Sequence, residues 1–390
     1  MKRIFISTAI FLLFFFGAFI FYQQYSNQTE GEKAKPAEIK KVKQQPAESQ
    51  KPAPAPEPKP EVTTATLSAV GDILIHDTVY NKASRPDGTY SFNHMFAKVK
   101  NHLEQSDITI ANQETMIGGV EFGLSSYPSF NSPAEVGDAL KENGVDLVTI
   151  ANNHTLDRGE KVILSALDHW NKIGMEYTGA YSSPEDRTNL RLITKNKITF
   201  SFLSYTYGTN GIPVPKGKDH LVNLIDPDRI KREVNEAAKL SDTVVVSLHF
   251  GNEYERLPNN EQEKIAQLAA DAGADIIIGH HPHVLQPVKW LTSLDGSKAF
   301  VAYSLGNFLS GQRRDYKDLG GIVNISVTKT AEGATSKIDV HSPSFIPTYV
   351  DNQFVIWPLA ELPEKKPVYE EMKRHMSRWM PDLSFEASQQ

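Results

Sequence analysis

Cysteine is absent from all 390 residues. That removes disulfides and thiolate-bound metal together, so any metal must be held by His, Asp, Glu or Asn. Basic charge is scarce as well: 41 Lys and Arg stand against 47 Asp and Glu, a formal net charge of −6. Nucleic-acid binders carry a basic face as their footprint. The acidic balance therefore argues against nucleic acid as a partner, and against a surface that grips a polyanion along its whole length. A local basic loop stays compatible with it. No internal repeat is visible. With 40% apolar and 23% charged residues the composition is that of a globular chain, long enough for one large domain or two small ones.

Three regions differ in texture. Lys2 and Arg3 precede the apolar run 4–22, whose helical length at ~1.5 Å per residue roughly matches a ~30 Å hydrocarbon core. A cleaved signal peptide has a shorter apolar region followed by a small-x-small site, and none follows here. Residues 1–24 are therefore read as one uncleaved transmembrane anchor, N-terminus in the cytoplasm and the remainder outside. Residues 25–63, rich in Gln, Lys, Glu and Pro and ending KPAPAPEPKPEVT, have little to bury and read as an extended, disordered tether. From residue 64 β-rich runs alternate with amphipathic helical patterns. Strands are expected over 66–75, 107–112, 146–152, 198–206, 242–250, 274–280 and 299–307, with helices over 93–105, 134–143, 159–173, 226–240 and 260–272. Near-continuous apolar strands separated by helices predict a layered α/β domain over 64–360. A hairpin is expected over 321–330 and 336–346, and a helical tail over 361–390.

Polar residues collect where these strands stop. The first ends at Gly71-Asp72, with His76 beyond it; the second at Asn112-Gln113-Glu114; the third at Asn152-Asn153-His154. The fourth ends at His249, and the next in GHHPH, giving His280, His281 and His283. The carboxyl ends of the strands form the ligand crevice of an open α/β sheet. Carboxylate, imidazole and amide oxygen together suit a divalent cation such as Zn, Fe or Mn. The set is large enough for two ions sharing a carboxylate. Each residue alone has a plainer reading. Asp72 could cap a turn, Asn112, Glu114 and Asn153 could form local hydrogen bonds, and His249 could be a core histidine. In His281-Pro282-His283, strand alternation would put both imidazoles on one side. His280 then reads as second shell or core. His94, His102, His169, His220, His341 and His375 lack partner residues and read as solvated or structural. Asn307 and Ser304 end a further strand on the same rim. Arg313, Arg314 and Lys317 in the following loop could contact phosphate or carboxylate anions, or form a solvated loop.

The motifs AVGDILIHD, IANQET, IANNHTLDRG, SLHFGNEYE, GHHPHVLQP and YSLGNF resemble the CapA, or poly-γ-glutamate capsule synthesis, family, which is related to the calcineurin-like metallophosphoesterases. The resemblance runs from about residue 66 to 307. It implies a β-sandwich flanked by helices that holds two divalent ions, Mn, Zn or Fe. Asp72, Glu114 (or Asn112), Asn153, His249, His281 and His283 would be the metal ligands, with His76, Asn112 and His280 as further ligands or outer-shell partners. His154 would be the catalytic acid or phosphate contact, and Asn307, Arg313 and Arg314 would face the substrate. Three positions depart from the phosphoesterase pattern: Leu74 stands at the usual Asp-x-His histidine, Asn-Gln-Glu replaces Gly-Asp-x-x-Asp, and Thr155 follows His154. The resemblance implies a role in making or exporting an anionic exopolymer with other subunits of a membrane synthase complex. Metal-dependent hydrolysis of a phosphate ester, a scaffold without catalysis, and a hydrolase for another envelope substrate remain open as readings.

Overall fold

A computed structural model describes residues 60–333 and 335–385. The expected anchor, and the expected tether up to residue 59, lie outside these residues. Among the described residues no helix is long and apolar enough to cross a membrane. Fifteen strands are described: β1 (Glu61–Leu74), β2 (Ile108–Gln113), β3 (Leu147–Thr149), β4 (Glu176–Thr178), β5 (Arg191–Lys195), β6 (Ile198–Thr206), β7 (Thr243–His249), β8 (Ile276–His280), β9 (Leu285–Thr292), β10 (Lys298–Leu305), β11 (Asn307–Ser310), β12 (Leu319–Glu332), β13 (Thr335–Val350), β14 (Ile356–Pro358) and β15 (Ser384–Phe385). One sheet runs β14-β13-β12-β1-β2-β3-β4, with β11 against β1 and β15 against β13; the other runs β5-β6-β7-β8-β10-β9.

The period of two in the strands decides what each sheet buries. Leu67, Ile110 and Leu147 of the first sheet share an apolar layer with Phe200, Val245, Ile276 and Ile278 of the second. On the far side of the first sheet, Val70, Ala111 and Val148 meet Leu140, Leu167 and Trp170 of the helices Glu135–Glu142 and Glu160–Ile173. On the far side of the second, Val244, Val246 and Ile277 meet Ile230, Val234, Ile265 and Ala269 of the helices Pro227–Leu240 and Asn260–Asp271. The result is a helix–sheet–sheet–helix stack in which two of the three consecutive isoleucines, 276 and 278, face inward and one outward. Local signals fix the outer helices: Asp226 caps one through the Arg229 N–H with Pro227 at its first turn, and Asn259 and Gln262 form a capping box on the other.

Several elements differ from the sequence reading. The helix expected over 93–105 is broken into Asn93–Phe96 and Lys100–Glu104. The hairpin arms are longer than expected, and the short strands β4, β5, β9, β11, β14 and β15 were not anticipated. The C-terminal helix Lys366–Met376 buries Met372 and Met376 in the layer between the sheets, and β15 pairs in parallel with β13.

One regularity is visible only once the strands are paired. An aspartate stands immediately before each of β2, β3, β7 and β8, and its Oδ2 accepts a backbone N–H from the neighbouring strand. Thr66 donates to Asp107 at 2.8 Å, Thr109 to Asp146 at 2.9 Å, Thr199 to Asp242 at 2.9 Å and Val244 to Asp275 at 2.8 Å. These carboxylates close the entry edge of the sheets, where the N–H groups would otherwise lack partners. Register set at this edge fixes which residues arrive at the opposite one.

The Asp275 carboxyl is pushed up to about 6 by burial, against the pull of the Val244 N–H. Its folded pKa therefore lies above the unfolded value of about 3.9, so the folded state retains its proton longer. The stability that this protonation gives is lost as pH rises from about 4 through about 6. Asp275→Asn keeps an acceptor for Val244 and cannot ionise. Its urea midpoint relative to wild type should rise between pH 4 and pH 7, roughly across the window those two pKa values define; an equal offset at both pH values would contradict the assignment.

Candidate metal centre

The strand ends converge because backbone meets backbone there. Asp72 N–H donates to the Gly306 carbonyl at 2.8 Å. A Cβ on the preceding Gly71 would lie 2.0 Å from that same oxygen, and one on Gly279, just before His280, would lie 2.0 Å from the Tyr303 carbonyl. Glycine is required at both places by close approach, which explains the pairs Gly71-Asp72 and Gly279-His280. Beyond β8 the chain does not continue as a strand. His281 has φ 96° and His283 φ 59°, left-handed conformations that are uncommon for histidine. The two rings do end on one side, with centroids 5.8 Å apart, but a left-handed turn about Pro282 brings them there, and not the strand alternation expected from the sequence.

Asp72 lies at the centre. Its Oδ1 accepts from the Asn112 amide at 2.9 Å and is 3.2 Å from His280 Nδ1. Its Oδ2 is 3.1 Å from His283 Nδ1 and 3.4 Å from the His281 N–H. Glu114 Oε1 lies 3.7 Å from His249 Nε2 and 3.6 Å from His283 Nε2. His249 Nε2 is also 2.7 Å from Asn153 Oδ1. All of these side chains are buried. Two overlapping groups, Glu114-His281-His283 and Asp72-Glu114-His249, each present ligand atoms within 4.8 Å of one another, and so each could hold an ion. Asn112 bonds Asp72 through its amide nitrogen and accepts from the Thr149 hydroxyl at 3.3 Å, and His280 faces Asp72 from its buried strand.

The electrostatics of this cluster are unbalanced. Burial would raise the Asp72 carboxyl, but hydrogen bonds from His280 and His283 and their charge hold it well below the usual range. Burial pushes Glu114 well above it, with His283 opposing. His249 is driven well below the usual imidazole value by burial and then by His281, and His281 is lowered by burial to about 3. His283 is raised to about 9: burial opposes the proton, but Glu114 and Asp72 outweigh it. Both Glu114 oxygens and His281 Nδ1 are buried without a hydrogen-bond partner. A buried carboxylate with no donor on either oxygen is costly unless a cation meets it, so the residues present fit divalent metal.

Beside the cluster stands His154. Its Nδ1 is 2.7 Å from Asp157 Oδ2, whose oxygen also accepts the Phe130 N–H at 2.8 Å. The ring meets Phe130 edge-on at 4.7 Å. Asn210 bridges outward, accepting from Asn153 at 3.1 Å and approaching His154 Nδ1 at 3.3 Å. Sequence reading missed Asp157, although its i+3 spacing in NHTLD was the available signal; it also missed Asn210 and the half-exposed Tyr207, whose ring lies 4.6 Å from His281. His76 Nδ1 accepts from the Gly311 N–H at 3.2 Å, and the ring packs on Phe130 at 5.2 Å. Asn307 pairs with Asp72 across β11 and β1. Its amide donates to Gln312 and to the Lys317 carbonyl, while its Oδ1 is buried without a partner. The Arg313 guanidinium donates to the Val350 and Asp351 carbonyls, both at 2.9 Å, and covers Phe354, a set of contacts that tethers its loop. Arg314 is exposed.

Metal analysis checks the cluster directly. After dialysis against Mn(II) or Zn(II), Glu114→Ala and His281→Ala should each weaken metal binding by more than the ~10–100-fold typical of losing an outer-shell partner. His94→Ala, an exposed position, should leave it unchanged. Equal metal content in all four proteins would remove the assignment.

The family model for the bacterial capsule synthesis protein PGA_cap matches residues 66–312. The PGA biosynthesis protein CapA of Bacillus subtilis (strain 168) is 32% identical over 217 residues, 55% of this chain and 56% of the relative. The capsule biosynthesis protein CapA of Bacillus anthracis is 30% identical over 259 residues, 63% of this chain and 60% of the relative. The matched part is thus under two thirds of these relatives' own length. Among solved structures, the NAD nucleotidase NadN of Haemophilus influenzae is similar with a TM-score of 0.46 at 12% identity, over 84% of this chain and 57% of that one. The family match takes in every strand end that contributes to the cluster, from Asp72 to His283, and the chain belongs to the PGA_cap family of bacterial capsule synthesis proteins.

Proposed function

We propose that the chain is a membrane-anchored, extracytoplasmic hydrolase that cleaves a phosphate ester in the synthesis or export of poly-γ-glutamate, together with other subunits of a synthase complex. The observation that carries the catalytic part is the His154–Asp157 pair beside the ligand cluster. A scaffold needs ligands that hold the fold. It does not need an imidazole fixed at 2.7 Å by a buried carboxylate with Nε2 free of hydrogen bonds among the described residues. The polymer part is supported by membership of the family, and the anchor by the run 4–22 behind Lys2 and Arg3.

Asp72, Glu114, Asn153, His249, His281 and His283 would hold two divalent ions, Mn, Zn or Fe, with Glu114 positioned between the two ligand groups. Ions bound there would neutralise the phosphate and activate a water for in-line attack. The protein's own part is proton handling and exclusion of solvent. Asp157 on Nδ1 fixes the orientation of the ring, so that Nε2 is placed to give a proton to the leaving oxygen as the phosphorus–oxygen bond breaks. Phe130 packs edge-on against the ring, and Asn210 ties it to Asn153.

Asp157→Asn keeps the size of the side chain but removes the carboxylate that holds His154 Nδ1. Turnover should fall by roughly 10²-fold or more, within the range general acid–base catalysis supplies, with bound metal unchanged. A panel of phosphomonoester, phosphodiester and γ-glutamyl substrates provides the readout. Stoichiometric metal with no hydrolysis of any of the three would identify the scaffold instead, and cleavage of the γ-glutamyl bond alone would replace the phosphate-ester assignment.

A further inference from the structure

A second cavity, of about 550 Å³, opens between the helix Pro227–Leu240 and the strands β5 and β6, and shares no lining residue with the metal cluster. Phe202, Leu203 and Ala237 give it an apolar floor, and four guanidiniums stand around it: Arg187, Arg191, Arg229 and Arg232. Two of these are committed. Arg187 pairs with Glu233 at 3.1 Å, and Arg191 pairs with Asp186 and covers Tyr177 and Tyr181. Glu233 also accepts a hydrogen bond from the Tyr205 hydroxyl at 2.7 Å. Arg229 and Arg232 form no ion pair and no side-chain hydrogen bond among the described residues, and they lie about one helical turn apart, near enough for both forks to reach one ligand. The remaining carboxylates of the wall, Asp219 and Glu236, are exposed at the rim.

Two side chains that line this cavity are more than nine-tenths buried, and each has one polar atom without a hydrogen-bond partner. His220 is 8% exposed with Nδ1 unpaired, and Asn223 is 1% exposed with Oδ1 unpaired. His220, which reads from the sequence as solvated or structural, is therefore a buried polar group without a partner on that atom.

The geometry points to a second binding site, for a carboxylate-bearing oligoanion with a carbon skeleton. Paired guanidiniums recognise planar carboxylates in bidentate fashion. The apolar floor and the volume suit a chain segment, of which a free phosphate would fill only a small part. That the carboxylates belong to a γ-glutamyl chain rests on the function proposed above. One loop serves both sites: residues 207–224 carry Asn210, which contacts His154 and Asn153, and also His220 and Asn223. A segment of polymer held at one end of this loop would bear on the catalytic histidine at the other.

Titration calorimetry on the full chain in detergent micelles tests this with two probes, a synthetic γ-glutamyl hexamer and inorganic phosphate. The hexamer should bind saturably, more weakly as salt rises. The double variant Arg229→Glu, Arg232→Glu should lose roughly tenfold or more in affinity, the scale of a charge-assisted contact, with circular dichroism and metal content unchanged. The milder Arg229→Gln, Arg232→Gln pair should show the same direction. His281→Ala should bind the hexamer like wild type. The site is overturned if no saturable binding occurs, if the arginine variants bind like wild type, or if His281→Ala abolishes binding. It is also overturned if phosphate binds at these arginines more tightly than the hexamer. Hydrolysis at the metal centre is read separately, so loss of turnover with hexamer binding intact would strike the proposed function and leave this site standing.

Discussion

The fold closes on Asp72. Its backbone pairs with β2 at Asn112 and with β11 at Asn307, and its N–H is bonded to Gly306. Its fully buried carboxylate receives Asn112 from one sheet and His280 and His283 from the other. Removing a partner from a buried charge costs several times what a surface pair contributes, so the two sheets are locked in relative position by the same atoms that could chelate. The glycines at 71 and 279 keep this packing close, because a side chain would strike the Gly306 carbonyl at the first and the Tyr303 carbonyl of the adjacent strand β10 at the second. The chemistry and the packing of this protein are therefore one constraint.

Imbalance at the centre has the same origin. A single buried aspartate is hydrogen-bonded by His283, while Glu114, 3.6 Å from the same ring, has no hydrogen-bond donor on either oxygen and shares that one countercharge. Filling the space with apolar residues would be the cheaper way to build a stable core. The retention of five buried histidine and carboxylate side chains around it, two of the histidines in left-handed backbone, is strain of the sort that persists where a site needs it.

Much of this was legible from the sequence, for a physical reason: strand tips announce themselves. A β-branched run buries both faces and must end where the chain meets solvent or a ligand, so Asp72, Asn153, His249 and GHHPH stood out against apolar runs. The entry-edge aspartates at 107, 146, 242 and 275 were equally regular but invisible, since their partners lie on the neighbouring strand and not in the local window. Asp157 was hidden in the same way, because a caged imidazole is a three-dimensional fact. Arg313 shows the converse. A run of basic residues beside the rim suggested anion contact, yet its two nitrogens meet the Val350 and Asp351 carbonyls, about 40 positions along a chain whose return path no local pattern encodes.

The division of labour between strands and loops limits what can change without loss of the fold. The ligand-bearing tips are fixed by register, and register is fixed at the opposite edge by the four aspartates, so a one-residue slip would reverse every side chain along a strand. The side chains packed around that cluster come from loops: Tyr207 and Asn210 from the 207–224 loop, and Tyr254 from the segment after β7. The 207–224 loop is itself tied to both sheets, through Asn223 N–H to the Gly179 carbonyl beyond β4 at 2.8 Å and Thr206 N–H of β6 to the Asn223 carbonyl at 2.9 Å. A change in the 207–224 loop would therefore alter the metal rim, through Asn210, and the arginine-lined cavity, through His220 and Asn223, together.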